Sequence, residues 1–215
     1  MANANRFWDR HAPGYAKRPV ADQDAYETKL EVTRKYLKPN SRVLEVGCGT
    51  GTTAIAHAPY AGEIIATDLS AGMLEIARQK ATAAAVSNVE FRQSTVEQLD
   101  EATGSFDMVM AHSVLHLLED KDAALRLLHK LLKPGGVLVS STMCLGDGYG
   151  WLKWVASIGR SVGLLPLIRV FTPDELRKSM IQAGFVIEHD WRPAPKAALF
   201  LVARKETEGI AGGKP

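Results

Sequence analysis

VLEVGCGTGTTAIA, residues 43–56, joins an apolar run of strand character to three glycines at alternate positions, Gly47, Gly49 and Gly51. Helix-forming residues follow at once, so the stretch reads as a strand, a tight turn and the start of a helix. Glycine lets a backbone come close to a ligand and take up positive φ. The helix start adds N–H groups that have no partner within the helix. Asp68 closes the next strand-like run, EIIATD, 21 residues after Gly47. An acidic side chain there can accept both hydroxyl hydrogens of a ribose. The pattern predicts the nucleotide-binding crevice of a doubly wound α/β fold.

The rest of the chain repeats the alternation. Tyr26, Leu30, Thr33 and Leu37 recur at helical spacing until Pro39 and Asn40 stop them. RVLEV, EIIATD, NVEFRQ, FDMVMAHS and GVLVSSTM read as five strands. Ser70 caps a helix running to about Ala85, and Lys121–Leu132 is a helix with Leu125, Leu128 and Leu132 on one face. KPGG, before the fifth strand, reads as a turn. Strands alternating with helices imply a mostly parallel sheet covered by helices on both faces. The end departs from this rule. FTPDELRKSMIQAGF carries Thr172 as N-cap, Pro173 at the first helical position, Glu175 to complete a capping box and Gly184 to end the helix. FVIEHDW and AALFLVAR then follow with a short loop between them, which suits an antiparallel pair at the sheet edge. The expectation is one seven-stranded domain over residues 1–205. It has an N-terminal helical cap over about 1–38, an insertion over about 144–170 that reads either as a lid or as a helix packed into the core, and a mobile tail at 206–215.

The choice of nucleotide turns on two details. The dinucleotide fingerprint is GxGxxG, but here the third glycine comes one residue early and Thr52 takes the last place. Glu45 stands two residues before Gly47. Its carboxylate would suit an ammonium group and be awkward beside a pyrophosphate. S-adenosylmethionine has a ribose, an ammonium and no phosphate.

At these residues the chain resembles the class I S-adenosylmethionine-dependent methyltransferases. VLEVGCGTG is similar to their first motif, TDLSAGMLEIARQKA to the second strand and its helix, FDMVMAHSVLHLL to the fourth-strand motif and LLKPGGVLVSS to the turn into the fifth strand. The resemblance covers roughly Phe7 to Lys205. It implies a Rossmann-like methyltransferase fold and a cofactor site built from Tyr15, Glu45, Gly47, Cys48, Gly49, Gly51, Asp68, Leu69, Met73, Thr95, Val96 and Ala111. Asp68 would hold the ribose, with Leu69 and Met73 lining the adenine pocket. Many relatives place an Asp-Ala pair after the third strand; here Thr95 and Val96 stand there, a weaker acceptor and a backbone N–H. His112 and His116 flank the mouth of the expected pocket. Each is a candidate general base, against the alternative that His112 lines the cofactor pocket and His116 packs under the next helix.

Composition narrows the partners. The formal net charge of +2 over 215 residues advertises neither nucleic acid nor a membrane surface. Cys48 and Cys144 have no Cys or His at metal-ligand spacing and read as free thiols of a reducing compartment, so no metal is expected. The N-terminus lacks an apolar core of signal-peptide length. Trp151–Ile168, the most apolar later stretch, is broken by Lys153, Arg160 and Pro166, which makes it a poor membrane span. The expectation is a soluble, cytoplasmic methyltransferase. It would take S-adenosyl-L-methionine, release S-adenosyl-L-homocysteine and act on a small hydrophobic or aromatic acceptor at nitrogen or oxygen. An NAD-dependent oxidoreductase and a catalytically idle cofactor-binding or interaction module are the alternatives.

Overall fold

A computed structural model describes residues 2–146 and 167–207. Most of the expected insertion, residues 147–166, and the tail from residue 208 lie outside the described residues. Elements are numbered in chain order. Strand β1 (Arg42–Val46) lies between β2 (Glu63–Asp68) and β4 (Phe106–His112) and runs parallel to both. With β3 (Val89–Gln93), β5 (Leu132–Thr142), β6 (Phe185–Trp191) and β7 (Leu199–Lys205), these form a seven-stranded sheet in the order β3-β2-β1-β4-β5-β7-β6. The first five strands pair in parallel, and β7 pairs antiparallel with β5 and β6. The C-terminal antiparallel pair is therefore where the sequence puts it. The strand order reverses between β1 and β4, and a doubly wound sheet opens its crevice there, at the carboxyl ends of the strands.

Helices cover both faces. Val43, Ile64, Met108 and Met110 point to one face, where they pack with Ala54 and Ala77 from α3 (Thr52–His57) and α4 (Ala71–Ala83). Leu44, Ile65 and Val109 point to the other, against Leu125 and Leu128 of α5 (Lys121–Leu131) and Leu176 of α6 (Pro173–Gln182). Burial on both sides explains why the strands read as continuous apolar runs. The helix starts are fixed locally. Ser70 Oγ accepts from Met73 N, Asp120 caps α5, and Thr172 and Glu175 form the complete capping box. Two further helices, α1 (Ala2–Ala16) and α2 (Gln23–Arg34), precede the sheet.

One expected turn is absorbed into a strand. KPGG belongs to the β5 ladder: Phe106 pairs with Leu132 and Met108 with Val137, so the chain bulges between the two pairs. Gly135 takes φ +78° within the bulge. A Cβ on Gly136 would stand 3.0 Å from the carbonyl oxygens of Asp107 and Lys133. The glycines permit the detour, and the strand resumes in register afterwards. Among the described residues no helix is long and apolar enough to cross a membrane.

Candidate active site

The glycine turn is stitched to β2 at its foot. Cys48 N donates to Thr67 O at 2.9 Å, and Gly49 N donates to Asp68 Oδ2 at 2.9 Å. Ser70 N donates to the other carboxylate oxygen, Oδ1, also at 2.9 Å. Burial raises the pKa of Asp68, while the N–H groups of Ser70, Gly49 and Leu69 favour its charged form. Each carboxylate oxygen keeps a lone pair for a hydroxyl of a ligand. The three glycines do different things. A Cβ on Gly47 would stand 2.7 Å from Val114 Cγ2, and one on Gly51 2.8 Å from the Phe91 ring, so both are fixed by packing. At Gly49 (φ +53°) the nearest atom would be Tyr15 Cε1 at 3.9 Å; its missing side chain leaves open space.

That space belongs to a cavity of about 770 Å³, within the range of ~300–1,000 Å³ usual for small-molecule sites. Of the residues singled out in the sequence, Tyr15, Gly47, Gly49, Asp68, Leu69, Met73, Thr95, Val96, His112 and His116 line it. Glu45, Cys48, Gly51 and Ala111 do not. Ala111 is fully buried in the core, Cys48 is buried among the apolar residues beneath the loop, and Gly51 packs on Phe91 and Ala77. Other lining residues were not singled out as site residues, although Val114, Leu117 and Leu118 fall within the FDMVMAHSVLHLL motif. Asn5, Phe7 and Trp8 come from α1, Val114, Leu117 and Leu118 follow β4, and Leu167 and Ile168 precede α6. A usable signal existed for the second group alone, because the residues just after β4 must lie at the carboxyl edge of the sheet.

The two histidines differ. His112 ends β4 with its Nε2 buried and without a partner among the described residues. Burial, with His57 and Lys29 nearby, pushes its pKa down to about 3. Behind it, Lys29 Nζ donates to Ser141 Oγ at 3.0 Å and His57 is fully buried. His116 sits in a short 3-10 turn, Leu115–Leu117, and burial lowers its pKa to about 4. Its Nδ1 has no partner among the described residues, and its carbonyl accepts from Arg169 N at 2.7 Å, which ties the turn to the 167–168 wall. Both rings are neutral at physiological pH and can accept a proton or a hydrogen bond.

Glu45 lies under the loop at 2% exposure, with Oε2 unpartnered among the described residues. Burial pushes its pKa up to about 8; the N–H of Ala54 works against this and Asp68 adds to it. A carboxyl raised from 4.5 to about 8 favours the fold fully below the lower value, and that contribution is lost as pH rises through the upper one. Glu45→Gln stays neutral throughout. We predict that its stability, read as urea midpoints at several pH values, gains on wild type steadily from about pH 4.5 to 8. A constant difference across that window would contradict a neutral Glu45 in the folded protein.

Residues 37–165 match the family described as "Methyltransferase domain". A ubiquinone biosynthesis O-methyltransferase from Xanthomonas campestris is 36% identical over 143 residues, which cover 66% of this chain. The chain spans 58% of the length of that curated relative. Among solved structures, the [4+2]-cyclase SpnF superposes with a TM-score of 0.76 at 18% identity, covering 94% of this chain and 95% of its own. An S-adenosylmethionine-dependent methyltransferase from Mesorhizobium loti gives 0.64 at 23% identity, covering 81% and 96%. The structural likenesses establish the fold. With the family match across most of the sheet and the crevice at its switch point, the chain belongs to the methyltransferase-domain family, within the class I S-adenosylmethionine-dependent methyltransferases.

Proposed function

We propose that the protein methylates a small hydrophobic or aromatic acceptor at oxygen, with S-adenosylmethionine as donor. One observation carries this reading. A single cavity joins the Asp68 and Gly49 cradle to an apolar wall of Phe7, Trp8, Leu117, Leu118, Leu167 and Ile168. The cradle fits the donor: Asp68 offers carboxylate lone pairs to a ribose, and the open space at Gly49 admits close approach of a ligand. Bound S-adenosylmethionine supplies a methyl group on a positively charged sulfur. The protein's part is to align the acceptor, which can be worth ~7–11 kcal/mol, and to exclude water with the apolar wall. His116 takes the acceptor's proton. The O-methyltransferase relatives support oxygen over nitrogen. Two free cysteines support a reducing, cytoplasmic setting, and residues 1–205 act as one unit.

The test has two arms. In thermal-shift titration, S-adenosylhomocysteine should stabilise the protein and NAD should not. Asp68→Ala should weaken the homocysteine form by ~1.5–3 kcal/mol, from lost charge-assisted hydrogen bonds. Labelled S-adenosylmethionine should then transfer methyl to members of a panel of phenols and long-chain alcohols, and not to sugars or free amino acids. Stabilisation by NAD alone would put an oxidoreductase in its place. Binding without transfer to any acceptor class would favour the idle module.

A further inference from the structure

Helix α1 lies along the cavity, and its one carboxylate, Asp9, is engaged by another helix. Asp9 Oδ1 accepts from Ser70 Oγ at 2.6 Å and from Gly72 N at 3.0 Å. Both donors belong to the start of α4, where unpaired N–H groups and the helix dipole favour an anion. Ser70 is fully buried, caps α4 itself through Met73 N at 3.1 Å, and donates its own N–H to Asp68. A hydrogen-bonded chain thus runs from Asp9 through Ser70 to the carboxylate at the foot of the crevice. The seam is close-fitting. A Cβ on Gly72 would already touch Asp9 O and Oδ1 at 3.4 Å, and Ala12 is 1% exposed beside it. The hydrogen bonds of Ser70 and Gly72 hold the Asp9 carboxyl below its usual range, so it is charged at neutral pH.

The helix so held forms one side of the cavity. Asn5, Phe7, Trp8 and Tyr15 line it, and Tyr15 faces the open side of Gly49. Among the described residues, the polar contacts that join α1 to another element run through Asp9. Residues 17–22, between α1 and α2, are exposed throughout and provide a hinge. We propose that Asp9 is a positioning residue that latches α1 across the crevice, and that release of this latch sets how fast the cofactor product leaves. The gate rests on the cofactor reading above; the latch itself does not.

The experiment measures S-adenosylhomocysteine dissociation by stopped flow, alongside amide hydrogen exchange of residues 4–16 with and without that ligand. Asp9→Ala should speed dissociation about tenfold or more, with association changed by less than about threefold, because the hydrogen bonds it removes hold the site closed and play no part in the encounter. Exchange across α1 should accelerate in this variant even without ligand. Asp9→Asn keeps an oxygen that accepts from Ser70 and Gly72, so it should restore both readouts towards wild type. Gly72→Leu leaves Asp9 in place and wedges the helices apart; it should reproduce Asp9→Ala. Asp9 is exposed, so the fold should survive these changes. Wild-type exchange in Asp9→Ala would overturn the latch. Normal ligand affinity with an unchanged dissociation rate would overturn the gate alone. Failure of the wild-type protein to bind S-adenosylhomocysteine would overturn the cofactor reading and the gate together.

Discussion

Replacing Gly49 by valine is expected to abolish binding of S-adenosylhomocysteine in a protein that still folds. Two effects act at this position and can be separated. The backbone sits at φ +53°, which costs an L-residue roughly 1–2 kcal/mol. A folded domain with ~5–15 kcal/mol in hand survives that loss. The second effect is volume. A Cβ at Gly49 has Tyr15 Cε1, at 3.9 Å, as its nearest neighbour outside the adjoining residues, so the further atoms of valine would project into the cavity. Gly49→Ala carries nearly the same backbone strain with one carbon in place of three. Isothermal titration should therefore show the alanine variant weakened and the valine variant without measurable affinity, about 100-fold or more below wild type by exclusion alone. Equal affinity in both variants, at unchanged stability, would mean that the loop is a turn and not a cradle.

The glycine loop was legible because its residues answer to local geometry. A strand end, three alternate glycines and an acid at the next strand end are all set within residues 43–68, and the described fold has them where the pattern requires. The mostly parallel sheet followed from the same alternation of strands and helices. Four features were not legible, each for a physical reason. Glu45 could face the ligand or the sheet, and sequence spacing does not choose; it packs beneath the loop because β1 turns Val43 and Glu45 towards α3, with Ala54 N–H as the carboxyl's neighbour. The KPGG glycines serve a bulge as well as they would serve a turn: Gly135 takes positive φ, and Gly136 lies where a Cβ would crowd the Asp107 and Lys133 carbonyls. The docking of α1 depends on Asp9 meeting Ser70 from 61 positions away, a contact for which no periodicity speaks. The His57, Lys29 and His112 neighbourhood is hidden similarly, since it joins α2, α3 and β4 across the sheet face.

The largest catalytic effect is expected from His116→Gln. The imidazole lines the same cavity as Leu117, Leu118 and Ile168, where an acceptor would lie against the apolar wall. Burial lowers its pKa to about 4, so near pH 7 it is neutral and able to take a proton. His112 is the weaker candidate: its pKa is pushed further, to about 3, and the nearby His57 and Lys29 both oppose a positive charge on its ring. Glutamine preserves size and hydrogen bonding at position 116 but cannot carry the proton away. With an oxygen acceptor, turnover should fall by about 10²–10⁴-fold, the usual contribution of a general base. Affinity for S-adenosylhomocysteine should hold, because Asp68 and the glycine loop are untouched. The pH profile adds a signature that lost packing would not give. With His116 as the base, deprotonated above roughly pH 5, the wild-type rate should be flat from there upward. In the variant the acceptor must ionise unaided, and the residual rate should climb with pH until it does. Turnover within about threefold of wild type, with the same flat profile, would assign catalysis to alignment and desolvation alone, and would leave His116 as part of the acceptor's wall.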